Sequence, residues 1–205
     1  GYFNGSRRFF TKGSPTQFLQ VTLLPREEVA SYTSSHGASL YIDPKSRLIF
    51  PNNAVTLQDG SPYNGEVHVM AYPIYGDDPQ LSDKMPGALI GEDESGSTVV
   101  LGSFGMINVE LQADNGDILQ IAEGKTVEIE LAIANNQLSQ APATIPLWYF
   151  DEEKGIWVED GLAELQGNIY VGQVSHFTPW NVDVPLELVN WEASFVDSEG
   201  RPVQN

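Results

Sequence analysis

Residues 176–178 read His-Phe-Thr, between the valine-rich run "YVGQVS" and the pair Pro179-Trp180. A hydroxyl placed just after a peptide carbonyl can attack it. Thr178 Oγ1 adding to the carbonyl carbon of Phe177 would give an N-to-O acyl shift, and water would then hydrolyse the ester. That step needs a base for the hydroxyl proton, and His176 is the one the motif supplies. A strained peptide at a tight turn would raise the ground state and help the attack. The competing account is structural: Phe177 and Trp180 point inward and close the end of a β-sandwich, and Pro179 ends ladder pairing. In it, His176 bonds a neighbouring carbonyl or acid. Pro179 also biases Thr178 towards extended backbone, against the geometry that the shift requires. We favour the structural account, with no catalytic residues; the alternative is self-cleavage of the Phe177–Thr178 bond by His176, Phe177 and Thr178.

Other chemistry is sparsely represented. There is no cysteine, which removes disulfides, thiolate catalysis and thiolate zinc sites. His36 stands in a polar loop and His68 in a strand-like run; with His176 they lack the His-x-x-x-His spacing of a metal site, so three unrelated histidines are expected. Asp77-Asp78 and Glu92-Asp93-Glu94 lack the rhythm of a calcium loop and read as solvated acids, with weak calcium binding left open. No phosphate loop, dinucleotide fingerprint or nucleophile elbow is present. Any two acids can meet in a fold, but no pair is singled out for glycoside hydrolysis. We therefore expect no cofactor and no metal. Exposed indoles stack on sugars, so four tryptophans raise a glycan-binding reading. Trp148, Trp157 and Trp180, however, sit in apolar surroundings and read as core, leaving Trp191 the freest.

Composition narrows the partners. The chain has 205 residues, 41% of them hydrophobic, enough for a sizeable core. Ten basic residues against 28 acidic give a formal charge of −18, a surface that repels nucleic acid and anionic lipid. No run approaches the roughly 18 apolar residues of a membrane span, so membrane insertion by this segment is not expected. The chain opens on Gly1 and shows no signal peptide; it reads as a piece of a longer protein whose targeting segment has been removed.

The elements that must position these residues are strands. Val127, Ile129 and Leu131 alternate with Glu128 and Glu130, and Val67, Val69 and Ala71 alternate with Glu66, His68 and Met70. Asp43-Pro44-Lys45 separates two strand-like runs. Asn115-Gly116 suggests a hairpin with a primed two-residue turn. Glu152 to Gly155 marks a second hairpin, whose Trp148 and Trp157 could stack across the strands, and Gly167-Asn168 marks a third. A strand is expected over 16–24, a short helix over 25–32, and a loop hanging from the sheet over 75–97. The fold class is all-β, an antiparallel β-sandwich built from hairpins, with Val127, Ile129, Leu131, Trp148, Trp157 and Tyr170 buried. Residues 1–15 read as a leader segment and 16–185 as the sandwich. Residues 186–205 read as a linker and the first strand of a further domain, weakly packed for want of its partner.

Three phrases carry a resemblance: "NNAVTLQDGSPYNGEVHV", "LGSFGMINVELQADNGDILQIAEGK" and "ATIPLWYFDEEKGIWVEDGLAELQGNIYVGQVSHFTPWNVD". Together they resemble a module of exported, lipid-anchored surface proteins of Bacteroidetes. It is similar to the domain shared by netrin receptors, ankyrins and zonula-occludens proteins, and to part of cartilage intermediate layer protein. The tail "ASFVDSEGRPVQN" looks like the start of a carboxypeptidase-regulatory-like domain. The resemblance implies a non-enzymatic structural or adhesion module at the cell surface or outer membrane, anchored through a segment outside this chain, with an extracellular protein or glycan as partner. Some relatives cut themselves at His-Phe-Ser. Carried over, His176 would be the base and Thr178 the nucleophile, with Thr in place of Ser and Pro179 following as departures.

Overall fold

A computed structural model describes residues 1–7, 18–186, 198, 199 and 201. Among them lie thirteen strands: β1 (Glu28–Thr33), β2 (Ala38–Tyr41), β3 (Arg47–Phe50), β4 (Val55–Leu57), β5 (Glu66–Tyr75), β6 (Ile90–Glu92) and β7 (Thr98–Ala113), followed by β8 (Ile118–Ile121), β9 (Val127–Ala132), β10 (Thr144–Asp151), β11 (Ile156–Gln166), β12 (Ile169–Val174) and β13 (Trp180–Leu186). One helical turn, α1 (Leu81–Lys84), interrupts them. All strands belong to one sheet in the order β1-β5-β7-β13-β10-β11-β12-β9-β3-β2, with β4, β6 and β8 attached to its sides. Pairing is antiparallel except between β6 and β11. The sheet curls on itself around a large apolar core fed by strands along its whole length, and β1 and β2 approach each other at its ends. The fold is all-β.

Alternation works where one face of a strand meets water. In β9, Val127, Ile129 and Leu131 are buried while Glu128 and Glu130 reach the surface. It fails in β5, β7 and β10 because both faces are covered. Val67, Val69 and Ala71 of β5 enter the main core, whereas Met70 and Ile74 enter a second one with Leu101, Met106, Trp148, Phe150 and Trp157. The second core is roofed by Phe3, Leu24 and Met85. Backbone bonds tie that roof down, from Phe3 N to Leu24 O at 2.9 Å and from Gly87 N to Ser6 O at 3.1 Å. Arg7 Nη1 adds a bond to Met85 O at 2.6 Å.

A bulge joins the two faces. Ser103 and Met106 of β7 oppose Asp183 and Asn181 of β13, so Phe104 and Gly105 together face Val182. Gly105 has φ 139°, and a Cβ there would stand 2.8 Å from Ile74 O. The extra residue sends Phe104 into the main core and Met106 into the second, although a regular strand would put both on one side.

Several expectations are corrected. Residues 25–32 are not helical: from Glu28 they form β1, because pairing with the edge of β5 outweighs a weak helix propensity. Residues 18–24 form no strand; Pro25 makes only an isolated bridge to Tyr2, and Phe18 is wholly exposed. The stretch 75–97 does not hang free, since β6 pairs with both β7 and β11 and Met85 is buried. The Asn115-Gly116 hairpin is real, but its loop is a turn closed by Gly116 N to Ala113 O at 2.9 Å, with positive φ at Gly116 alone. Trp157 packs its ring on Phe150 rather than on Trp148, at 5.2 Å between centroids. The expected strand after Asn190, and Trp191, lie outside the described residues.

Candidate functional site

The corner between β12 and β13 holds the His-Phe-Thr motif. Ladder pairing to β9 stops at Val174, and β13 starts at Trp180. Two bonds shape the intervening turn: Trp180 Nε1 donates to His176 O at 2.9 Å, and Phe150 N donates to Pro179 O at 2.9 Å. Trp180 is buried, and the half-buried Phe177 packs towards Phe50 at 6.1 Å between centroids. The His176 imidazole was expected to bond a carbonyl or an acid. Instead it joins a cluster of two rings that also touch each other, edge-on to Tyr149 at 4.9 Å and tilted on Trp180 at 5.0 Å. Burial lowers its pKa, opposed by the charge of Asp160. Neutral His176 could accept a proton, but the proton is not offered to it.

The Thr178 hydroxyl is shielded from solvent and has no hydrogen-bond partner among the described residues. Among the described residues there is no cis peptide, and positive φ occurs at none of residues 176–179. The motif thus supplies a nucleophile and a neutral imidazole without a hydrogen bond between them or a left-handed backbone. Beside the corner runs a cleft of about 210 Å³, bordered by Phe3, Asn4, Asn108, Glu152, Thr178 and Pro179.

The other candidates are dispersed. His36 ends a short 3-10 turn. His68 bridges strands through ion pairs to Glu28 Oε2 at 3.1 Å and Asp114 Oδ1 at 2.9 Å, which raise its pKa, Asp114 more than Glu28. Among the described residues no three potential metal ligands gather. The acids have local partners: Asp78 pairs with Lys84 at 2.6 Å and Glu92 with Lys154 at 3.2 Å. Asp93 Oδ1 accepts from Ser95 N, Ser95 Oγ and Ser97 N. Trp148, Trp157 and Trp180 are all buried and offer no stacking platform for a sugar.

Sequence reasoning missed a buried polar group just past the corner. Asn181 and Asp183 are wholly inaccessible to solvent. Asn181 Nδ2 donates to Asp183 Oδ2 in a close contact, and Ser103 Oγ donates to Asn181 Oδ1 at 3.3 Å while accepting from Gly105 N at 3.1 Å. Asp183 has no cationic partner among the described residues. Burial pushes its pKa up to about 8, against the pull of the nearby Ser103 hydroxyl, the Phe104 N–H and Asn181. Asp183 Oδ1 itself lacks a hydrogen bond of good geometry. The signal was "WNVDVP", in which two polar residues flank Val182. That pattern ordinarily means an outward polar face, and the second core is what turns it inward.

No family model, curated protein or solved structure matches the chain.

Proposed function

We propose that this chain is a non-enzymatic β-sandwich module of an exported surface protein, serving adhesion or spacing, and that the Phe177–Thr178 bond stays intact. The observation that carries the reading is the Thr178 hydroxyl without a base: the imidazole that should activate it packs against Tyr149 and Trp180. An acyl shift requires nucleophile and base within hydrogen-bond reach. Residues 175–179 instead close the end of the sandwich, with Trp180 in the core and Pro179 O fixed by Phe150 N. The strongly acidic surface disfavours nucleic acid and suits a protein or glycan partner outside the cell.

Intact-mass measurement after incubation near neutral pH tests this. A single species near 22.5 kDa supports the structural role. Two fragments divided after Phe177, abolished by Thr178→Ala, would replace it with a self-processing one.

A further inference from the structure

Ser103, Asn181 and Asp183 sit between β7 and β13, two neighbouring strands well inside the sheet, with Ser103 directly opposite Asp183. Buried carboxyls are normally paired with a cation or fully hydrogen-bonded. Among the described residues Asp183 has neither, and its neighbours are a hydroxyl, a primary amide and the Phe104 N–H. The hydroxyl is a nucleophile, the amide an acyl group carrying a leaving nitrogen, and the carboxyl is able to move protons between them. The hydroxyl already donates to the amide oxygen at 3.3 Å, and the amide nitrogen already donates to the carboxyl.

We propose that Ser103 and Asn181 become joined by an intramolecular ester, with Asp183 as the group that transfers the proton. Ser103 Oγ adds to Asn181 Cγ to give a tetrahedral centre. One carboxyl oxygen of Asp183 takes the hydroxyl proton while the other delivers a proton to Nδ2. The Cγ–Nδ2 bond then breaks and ammonia leaves, taking the bonding pair. An Oγ–Cγ ester remains, and the carboxyl ends with as many protons as it began with. Gly105 N–H, which donates to Ser103 Oγ at 3.1 Å, fixes the position of the hydroxyl beside the amide. Retention of a proton by Asp183 at neutral pH suits it to both transfers. Asn181 and Asp183 have no solvent-accessible surface, so the water that would hydrolyse the product is excluded. The link would tie β7 to β13 covalently without cysteine, and it would suit a module that bears load.

Mass spectrometry of the folded chain tests the proposal. The expected mass is lower than that calculated from sequence by one ammonia, about 17 Da. Digestion should yield one joined peptide containing residues 103 and 181, and hydroxylamine should separate its two halves. Ser103→Ala should restore the calculated mass, as should Asp183→Asn, which keeps the shape of the group but cannot relay a proton. A folded wild-type chain of full mass, with Ser103 and Asn181 on separate peptides, overturns the proposal whether or not the variants fold. So does an ammonia loss that persists in Ser103→Ala, which would place a cyclised asparagine elsewhere. A cut after Phe177 gives two fragments and is distinguished at once from a link.

Discussion

A single proton on Asp183 links its burial to the stability of the whole chain. Folding raises this carboxyl from the usual aspartate range near 3.9 to about 8, chiefly by burial. Between those values the folded state holds one proton more than the unfolded state, so stability falls as pH rises. The contribution is complete below about pH 4 and is lost as pH passes through about 8, with a slope of about 1.4 kcal/mol per pH unit from this group. His68, raised by Asp114 and Glu28, acts in the same direction from the surface. His176, lowered by burial, acts in the opposite one and costs stability as pH falls below its unfolded value. Denaturant unfolding from pH 5 to 8.5 should show wild-type stability declining and Asp183→Asn giving a much flatter profile. Parallel profiles for the two proteins would refute a buried, protonated Asp183. At this scale the sequence was legible only in part. His176, Phe177 and Thr178 stood out because their order spells a reaction. Whether imidazole meets hydroxyl depends on Tyr149 and Trp180, and Tyr149 stands 27 residues away on another strand. Ser103, 78 residues before Asn181, gave no local sign of its role.

Strands show the same division between local and distant causes. β9 could be read from its alternation because one face of it is wet. β5, β7 and β10 carry apolar residues at both parities because a second core, roofed by Phe3, Leu24 and Met85, lies across them. Nothing within those strands announces the roof. β6 is three residues long, and its partners are Thr98–Val100 and Trp157–Val158, so its existence is decided wholly by tertiary pairing. β1 was mistaken for helix for the same reason. The second core yields a prediction of its own. Trp148 has no exposed surface, its Nε1 donates to Asp183 O at 3.0 Å, and a Cβ on Gly91 would come within 2.8 Å of its ring. Trp148→Ala should therefore destabilise by about 3–5 kcal/mol, and Gly91→Ala by about 1–3 kcal/mol through overpacking. Chemical denaturation measures both, and a Trp148→Ala loss under 1 kcal/mol would contradict the second core as described.

Over the whole molecule, the excess of 28 acids over 10 bases opposes compaction. Some pairs relieve it locally, among them Arg26 with Glu110 and Arg47 with Glu130, but the net charge remains −18. Added salt screens that self-repulsion over about 10 Å at 0.1 M. The thermal midpoint should rise between 10 and 300 mM sodium chloride, and a fall would show that the surface pairs matter more than the net charge. The strand order has a consequence of another kind, concerning time rather than energy. Among the described strands β13 comes last in the chain, yet it lies between β7 and β10 near the middle of the sheet. A polypeptide emerging from the ribosome with its N-terminus first has no filling for that gap until residue 186 has appeared. Until then the long face of β7 and the tryptophan-bearing strand β10 stay unjoined. This architecture postpones its own completion: synthesis can deliver every other described strand before the sheet closes.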